Sequence, residues 1–307
     1  MARTFLVTGA TGKQGGAVID ALLSSSPSAT ILALTRNRQS TRAQALALKA
    51  PEQVKLLEGD LADCAAVFAS AAVPIDGVFS VSIPALGFRA DPRAEETQGR
   101  ALVDAAIAHG VHHFVYTSVD RHGSASDATA TNVPHFISKA GVEKHLVAQS
   151  RGSQMSWSIL RPTAFMENIA RGFAGRIFPT VWNVGLPPGT KLQLVSTADI
   201  GYFGAQALLR PTEYAGRAVS LAGDELTFEE ANAIFVRGVG HGIPQTYGFI
   251  GRLLLWAARD VGLMFKFFEE IGYGANIEAL RREYPGLRSL GDWLQTSDFA
   301  PDTKKTS

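Results

Sequence analysis

Among 307 residues there is a single cysteine, Cys64, so no internal disulfide can form. Long apolar runs are missing too. The best stretch, Tyr247 to Phe268, is interrupted by Arg252, Arg259, Asp260 and Lys266, which excludes a membrane span. Neither sign of charge is in excess, with 29 Lys and Arg against 28 Asp and Glu. No basic block offers a footprint for nucleic acid or an anionic membrane, so direct nucleic-acid binding is not expected. Met1 to Gly9 lacks the charged, apolar and cleavage regions of a secretion signal. With the lone thiol, this leads to the expectation of a reducing compartment, most simply the cytosol. A content of 46% hydrophobic and 19% charged residues excludes disorder and suffices for one large or two modest cores.

The first half alternates short β-rich runs with helical patterns, the signature of βαβ units and a parallel sheet in an α/β fold. Expected strands are Thr4 to Thr8, Thr30 to Thr35, Val54 to Leu57, Gly77 to Val81, His113 to Ser118 and Ser156 to Leu160, six in one sheet. Several are apolar without alternation, as when helices cover both faces. Helical patterns run over Ala17 to Leu23, Ala43 to Leu48, Cys64 to Ala71, Ala94 to His109 and Ser138 to Gln149. Beyond Arg161 the regularity weakens around Pro179, Pro187 and Pro188. Strands are then expected at Lys191 to Val195 and Ala218 to Leu221, and a helix at Asp199 to Leu209 after a cap at Thr197. Thr227 with Glu230 is a capping box that opens another helix, through Phe235. The remainder to Leu294 reads as mostly helical, followed by a frayed tail.

Between the first strand and the first helix lies Gly9-Ala10-Thr11-Gly12-Lys13-Gln14-Gly15. Such a turn lets backbone N–H groups approach a pyrophosphate at a helix N-terminus, and glycine removes the Cβ that would block contact. Gly9, Thr11, Gly12, Lys13, Gln14 and Gly15 are therefore candidate cofactor contacts; a tight βα loop is the plainer alternative. At the end of the second strand an acid would bond the ribose of NAD, whereas arginine accommodates the 2′-phosphate of NADP. The sequence there is Thr35-Arg36-Asn37-Arg38, so Arg36 and then Arg38 are the candidates for that phosphate, against the alternative of two solvated loop arginines. After the third strand, Asp60 suits the adenine amino group or a helix N-cap, and Leu61 suits the ring face. The expected fold is thus a Rossmann-type doubly wound sheet. Residues 1–164 and 191–222 would bind NADP(H), 165–190 and 223–298 would form a smaller substrate- or partner-binding region, and 299–307 the tail.

Gly9 to Gly15, Leu34-Thr35-Arg36-Asn37, Gly59-Asp60-Leu61, Tyr116-Thr117-Ser118-Val119-Asp120, Leu160-Arg161-Pro162 and Phe165-Met166-Glu167-Asn168 together resemble the NmrA-like family of atypical short-chain dehydrogenases. Asp199-Ile200-Gly201 and Ser289-Leu290-Gly291-Asp292-Trp293-Leu294 extend the resemblance over nearly the whole chain. The family includes NADP(H) redox sensors, regulatory repressors and oxidoreductases. Typical short-chain dehydrogenases use a serine, a tyrosine and a lysine four residues after the tyrosine. The lysine binds the nicotinamide ribose and lowers the tyrosine pKa. Here Ser118 and Lys139 fit the serine and lysine positions, while His135 stands at the tyrosine position. An imidazole can itself deliver a proton, although a packed helix-start histidine is an equally open reading, and related sensors also carry histidine there. By the same resemblance the segment Phe165 to Asn168 closes over the nicotinamide end, where Glu167 and Asn168 orient the ring; simple helix capping is the plainer alternative for these two.

Two segments complete the reading. His109, His112, His113 and His122 lie close in sequence without Cys or carboxylate at ligand spacing, so no metal is expected. Tyr247 to Phe268 has more apolar residues than one helical face needs, and reads as a core helix, an aromatic wall for a hydrophobic substrate, or a partner-binding face. The function expected is NADPH-dependent reduction of a hydrophobic carbonyl, enone or quinone-like molecule. The alternative is a non-catalytic NADP(H) sensor acting on a protein partner.

Overall fold

A computed structural model describes residues 3–82 and 93–300. In chain order the first elements are β1 (Thr4–Val7), α1 (Lys13–Ser25), β2 (Thr30–Thr35), α2 (Thr41–Lys49), β3 (Val54–Glu58), α3 (Cys64–Ser70), β4 (Gly77–Val81), α4 (Ala94–Ala108), β5 (His113–Thr117), α5 (Pro134–Ser150) and β6 (Ser156–Pro162). They are followed by β7 (Ala164–Phe165), α6 (Phe173–Gly185), β8 (Leu192–Val195), α7 (Thr197–Leu209), α8 (Pro211–Tyr214), β9 (Arg217–Leu221) and β10 (Asp224–Leu226). The chain ends with α9 (Phe228–Val239), α10 (Gly248–Ala257), α11 (Arg259–Glu270), α12 (Ile277–Glu283) and α13 (Leu290–Leu294). None of these helices is long and apolar enough to cross a membrane.

The chain divides into two units. The first takes in Met1–Val119, His135–Arg161 and Ile200–Val219, the second Asp120–Pro134, Pro162–Asp199 and Ser220–Ser307. A sheet ordered β3-β2-β1-β4-β5-β6-β9 organises the first unit. The pairs β1 with β2, β1 with β4, β2 with β3, β4 with β5 and β5 with β6 are all parallel. Strand order turns back between β1 and β4, the switch point at whose carboxyl side open α/β sheets place ligands. Every residue of β4 and β5 is buried, which explains their unalternating apolar sequences. Leu6, Val78, Phe114 and Ile159 of the strands pack with Phe68, Leu102, Val142 and Leu146 of the helices in one core. Each such side chain contributes about 1.5–3 kcal/mol by leaving water. On α1, Gly15, Val18, Ile19 and Leu22 form the buried stripe that the helical period predicts.

The sheet has seven strands where six were expected. β9 joins it at the edge beside β6, and its mostly half-buried residues lack the continuous apolar run of a central strand. Segment 191–222, expected to belong with the nucleotide-binding domain, is split between the units. β8 enters a small sheet ordered β10-β8-β7, antiparallel to β10 and parallel to β7, while Ile200–Val219 belongs to the first unit.

In the second unit α9 begins at the expected capping box: Glu230 N donates to Thr227 Oγ1 at 3.1 Å, and Thr227 N donates to Glu230 Oε2 at 2.8 Å. The helix outruns Phe235 and stops only at Gly240, whose φ of +83° ends it in the left-handed region. Tyr247 to Phe268 is not one core helix. It breaks at Ala258 into α10 and α11. Phe265, Phe267 and Phe268 of α11 are buried, but Phe249, Leu253 and Trp256 of α10 are exposed, Trp256 by 83%. Phe299 and Ala300, expected in the tail, are buried, with Phe299 edge-on to Phe235 at 5.3 Å. Residues 301–307 of that tail lie outside the described residues.

Candidate cofactor site

At the carboxyl end of β1 the buried Thr8 hydroxyl donates to Val81 O at 3.0 Å and accepts from Val81 N at 2.8 Å, fixing the ends of β1 and β4 together. The glycine turn follows directly. Gly9 has φ +56°, and a Cβ there would stand 2.6 Å from Val81 Cγ1, so both conformation and space require glycine. A Cβ on Gly15 would run into the Gly9 carbonyl, so this glycine lets α1 close against the turn. Gly12 caps α1 without any side-chain hydrogen bond, and no acid occupies the first turn. The first N–H groups of a 13-residue helix therefore point out of the turn unserved by a capping side chain, which is the arrangement that receives a phosphate. Gln14 in that first turn accepts from Thr117 Oγ1 at 2.7 Å, tying α1 to the end of β5. Lys13 is exposed and Thr11 half-buried.

Arg36 and Arg38 are both exposed just past β2. The loop is shaped by Thr35, whose hydroxyl bonds Asn37, and by Glu58, which accepts from Arg38 N at 3.1 Å. Glu58 is an acid that the local sequence did not place beside this run. Asp60 takes the N-cap role: Oδ1 accepts from Ala62 N at 2.9 Å and opens a short 3₁₀ turn over Leu61–Asp63. Leu61 is half-buried. Burial pushes the nearby Cys64 thiol up to about 11, with Asp63 and Asp60 adding to the effect, so this cysteine is no nucleophile.

Ser118 follows β5, its N–H bonded to Leu160 O at 2.7 Å. Its hydroxyl is buried and has no hydrogen-bond partner among the described residues, an orphaned donor at the carboxyl edge of the sheet. His135 is half-buried in the first turn of α5, edge-on to Phe136 at 4.7 Å. Lys139, one turn later on the same helix face, is buried. Its Nζ lies 2.7 Å from Glu95 Oε1 and 3.4 Å from Ser82 Oγ. Neither Glu95 nor Ser82 was singled out by the sequence, because an acid in the first turn of α4 carries no signal of its distant partner.

Phe165, half-buried, precedes a 3₁₀ turn over Met166–Asn168, and Asn168 is half-buried; both belong to the second unit. The contacts of Glu167 match the helix-capping alternative. Its carboxylate accepts from Thr197 N at 3.0 Å, Ser196 Oγ at 3.2 Å and Trp293 Nε1 at 3.0 Å, so it serves the N-terminus of α7. The four histidines diverge. His109 stacks on Phe68, His112 faces Asp76, His113 sits between Ser156 and Ser158, and His122 meets Gly272 O.

The glycine turn, the uncapped helix start and the orphaned Ser118 hydroxyl fit a dinucleotide laid along the carboxyl edge of the sheet. A model of the NmrA-like family matches residues 1–286. Quinone oxidoreductase 2 of Escherichia coli (strain K12) is 27% identical over 218 residues, covering 71% of this chain and 68% of that protein. The solved structure of Citrobacter sp. triphenylmethane reductase complexed with NADP(H) superposes with a TM-score of 0.72 at 18% identity, covering 95% of this chain and 99% of the other. NmrA, a negative transcriptional regulator, superposes with a TM-score of 0.68 at 17% identity over 95% and 94% of the two chains.

Proposed function

The chain belongs to the NmrA-like family, and on that premise we propose that it binds NADP(H) and uses it to reduce a hydrophobic carbonyl, enone or quinone-like molecule. The observation that carries this reading is the glycine turn opening onto an α1 N-terminus that no side chain caps. Arg36 and Arg38, in a loop with no acid of its own, favour the 2′-phosphate of NADP over NAD. The similarity to a quinone oxidoreductase, and the fold shared with a reductase complexed with NADP(H), support the same class. NADPH, when bound, supplies the hydride. The Ser118 hydroxyl donates a hydrogen bond to the substrate oxygen, His135 delivers the proton in place of tyrosine, and Lys139 bonds the nicotinamide ribose. A conjugated acceptor takes hydride without a strongly activated acid, so the absence of tyrosine suits enones and quinones better than simple ketones. The buried Cys64 thiol suits a reducing compartment, most simply the cytosol.

A second reading, an NADP(H) sensor acting on a protein partner, is favoured by one observation, the exposed face of α10. A single-turnover assay separates the two. Mixing the NADPH-bound protein with a panel of quinones and enones should oxidise the cofactor with at least one acceptor; tight NADPH binding without oxidation by any of them would favour the sensor.

A further inference from the structure

Among the described residues of the first unit are two buried ion pairs that are built differently. Arg161 meets Glu143 through two parallel contacts, Nε to Oε1 at 3.2 Å and Nη2 to Oε2 at 2.6 Å, a fork that engages both partners. Lys139 meets Glu95 through one contact of 2.7 Å. Glu95 is 5% exposed and Lys139 7%, and the same carboxylate oxygen accepts from Ser82 Oγ at 2.6 Å. Three elements converge here: the end of β4, the first turn of α4 and the second turn of α5. All of them deliver their side chains toward the carboxyl edge, where β4 and β5 run out beside Ser118.

A buried ion pair is a poor device for stability alone, since apolar residues of the same volume often do as well. An ammonium has three N–H donors, and among the described residues Lys139 engages Glu95, Ser82 at the longer distance of 3.4 Å and the Tyr116 ring, 6.0 Å from Nζ to the ring centroid. The ring contact is electrostatic and takes up no N–H, so two donors are engaged and, among the described residues, one is left for a ligand oxygen. Fixing a flexible lysine in advance also removes much of the side-chain ordering cost that binding would otherwise carry. We infer that Glu95 is a positioning residue, holding the Lys139 ammonium where the nicotinamide ribose of NADP(H) is bound, with Ser82 fixing the Glu95 carboxylate. The inference rests on the NADP(H) reading above.

A double-mutant cycle on the full chain tests it, with NADPH affinity read by titration calorimetry and fold by thermal unfolding. Glu95→Gln keeps the shape and removes the charge, and should weaken NADPH binding about tenfold. Glu95→Asp restores the charge one methylene short and should recover part of that loss. In a Lys139→Met background the Glu95→Gln change should alter affinity less than about twofold, and should raise the unfolding temperature because it removes an uncompensated buried carboxylate. A merely structural Glu95 would not show that coupling in affinity. Should Glu95→Gln fail to fold, Glu95→Asp carries the test: a loss of about threefold supports the inference, and unchanged affinity overturns it. Affinity unmoved by Glu95→Gln, or the same loss with and without Lys139, overturns the role of Glu95 while leaving NADP(H) binding in place. A folded unaltered protein that binds no NADPH overturns the cofactor reading and this inference with it.

Discussion

At Gly12 an added Cβ would meet the Gly9 carbonyl oxygen at 3.1 Å and, its chain neighbours apart, no other atom of the described residues within 4 Å, and the backbone there is extended, with φ −94°. A larger side chain is therefore accommodated by a small shift of the turn, yet it occupies the space over the helix start. Gly12→Val should abolish NADPH binding while circular dichroism stays unchanged; tight binding by the variant would make the turn a structural feature only. His135 separates catalysis from sensing. As proton donor, its removal in His135→Ala should lower turnover about a hundredfold with cofactor affinity nearly intact. Turnover indifferent to that substitution removes the imidazole from the mechanism. The glycine turn was legible because its evidence is local, seven consecutive residues between a strand and a helix. Glu95 was not, since its meaning lies in a lysine 44 residues away.

Among the elements, the central strands were legible because helices on both faces demand continuous apolar runs. β9 was assigned to no sheet because an edge strand is only half-buried and need not look like its neighbours. The break at Ala258 has no proline or glycine of its own to announce it. It divides one apolar stretch into two unlike helices. Leu253→Lys or Trp256→Lys on exposed α10 should change stability by less than about 0.5 kcal/mol, whereas Phe268→Ala on α11 should cost about 3–5 kcal/mol, both measured by denaturant unfolding. Equal losses would show that the α10 face is covered in solution. At the start of α7, burial pushes the Asp199 carboxyl up to about 7, aided by Glu167 and opposed by the Arg288 amide and by the charges of Arg288 and Arg281. The folded state thus holds a proton that the unfolded chain, with the ordinary carboxyl value of 3.8, has already released. This contribution is complete below about pH 4 and is lost as pH rises to about 7, a change on the order of 4 kcal/mol at ~1.4 kcal/mol per tenfold change in proton affinity. Asp199→Asn should be relatively more stable at pH 8 than at pH 4. His113, lowered to about 4 by burial, acts in the opposite sense but is common to both proteins, so the difference between them isolates Asp199. A difference independent of pH would contradict the assignment.

For the molecule as a whole, the proposed choice of NADP(H) turns on one loop. The sheet provides the switch point; in the proposed reading the α1 N-terminus serves as the phosphate site and Arg36 with Arg38 set the preference for a 2′-phosphate, while Glu58, which accepts from the Arg38 amide, subtracts some of that positive potential. The measurement that tests this most directly is parallel titration calorimetry of NADPH and NADH into the unaltered protein and into Arg36→Ser. The account predicts that NADPH binds the unaltered protein at least about tenfold more tightly, and that Arg36→Ser loses most of this preference through weaker NADPH binding with NADH little changed. Equal affinities for the two cofactors in the unaltered protein, or binding of neither, would contradict it.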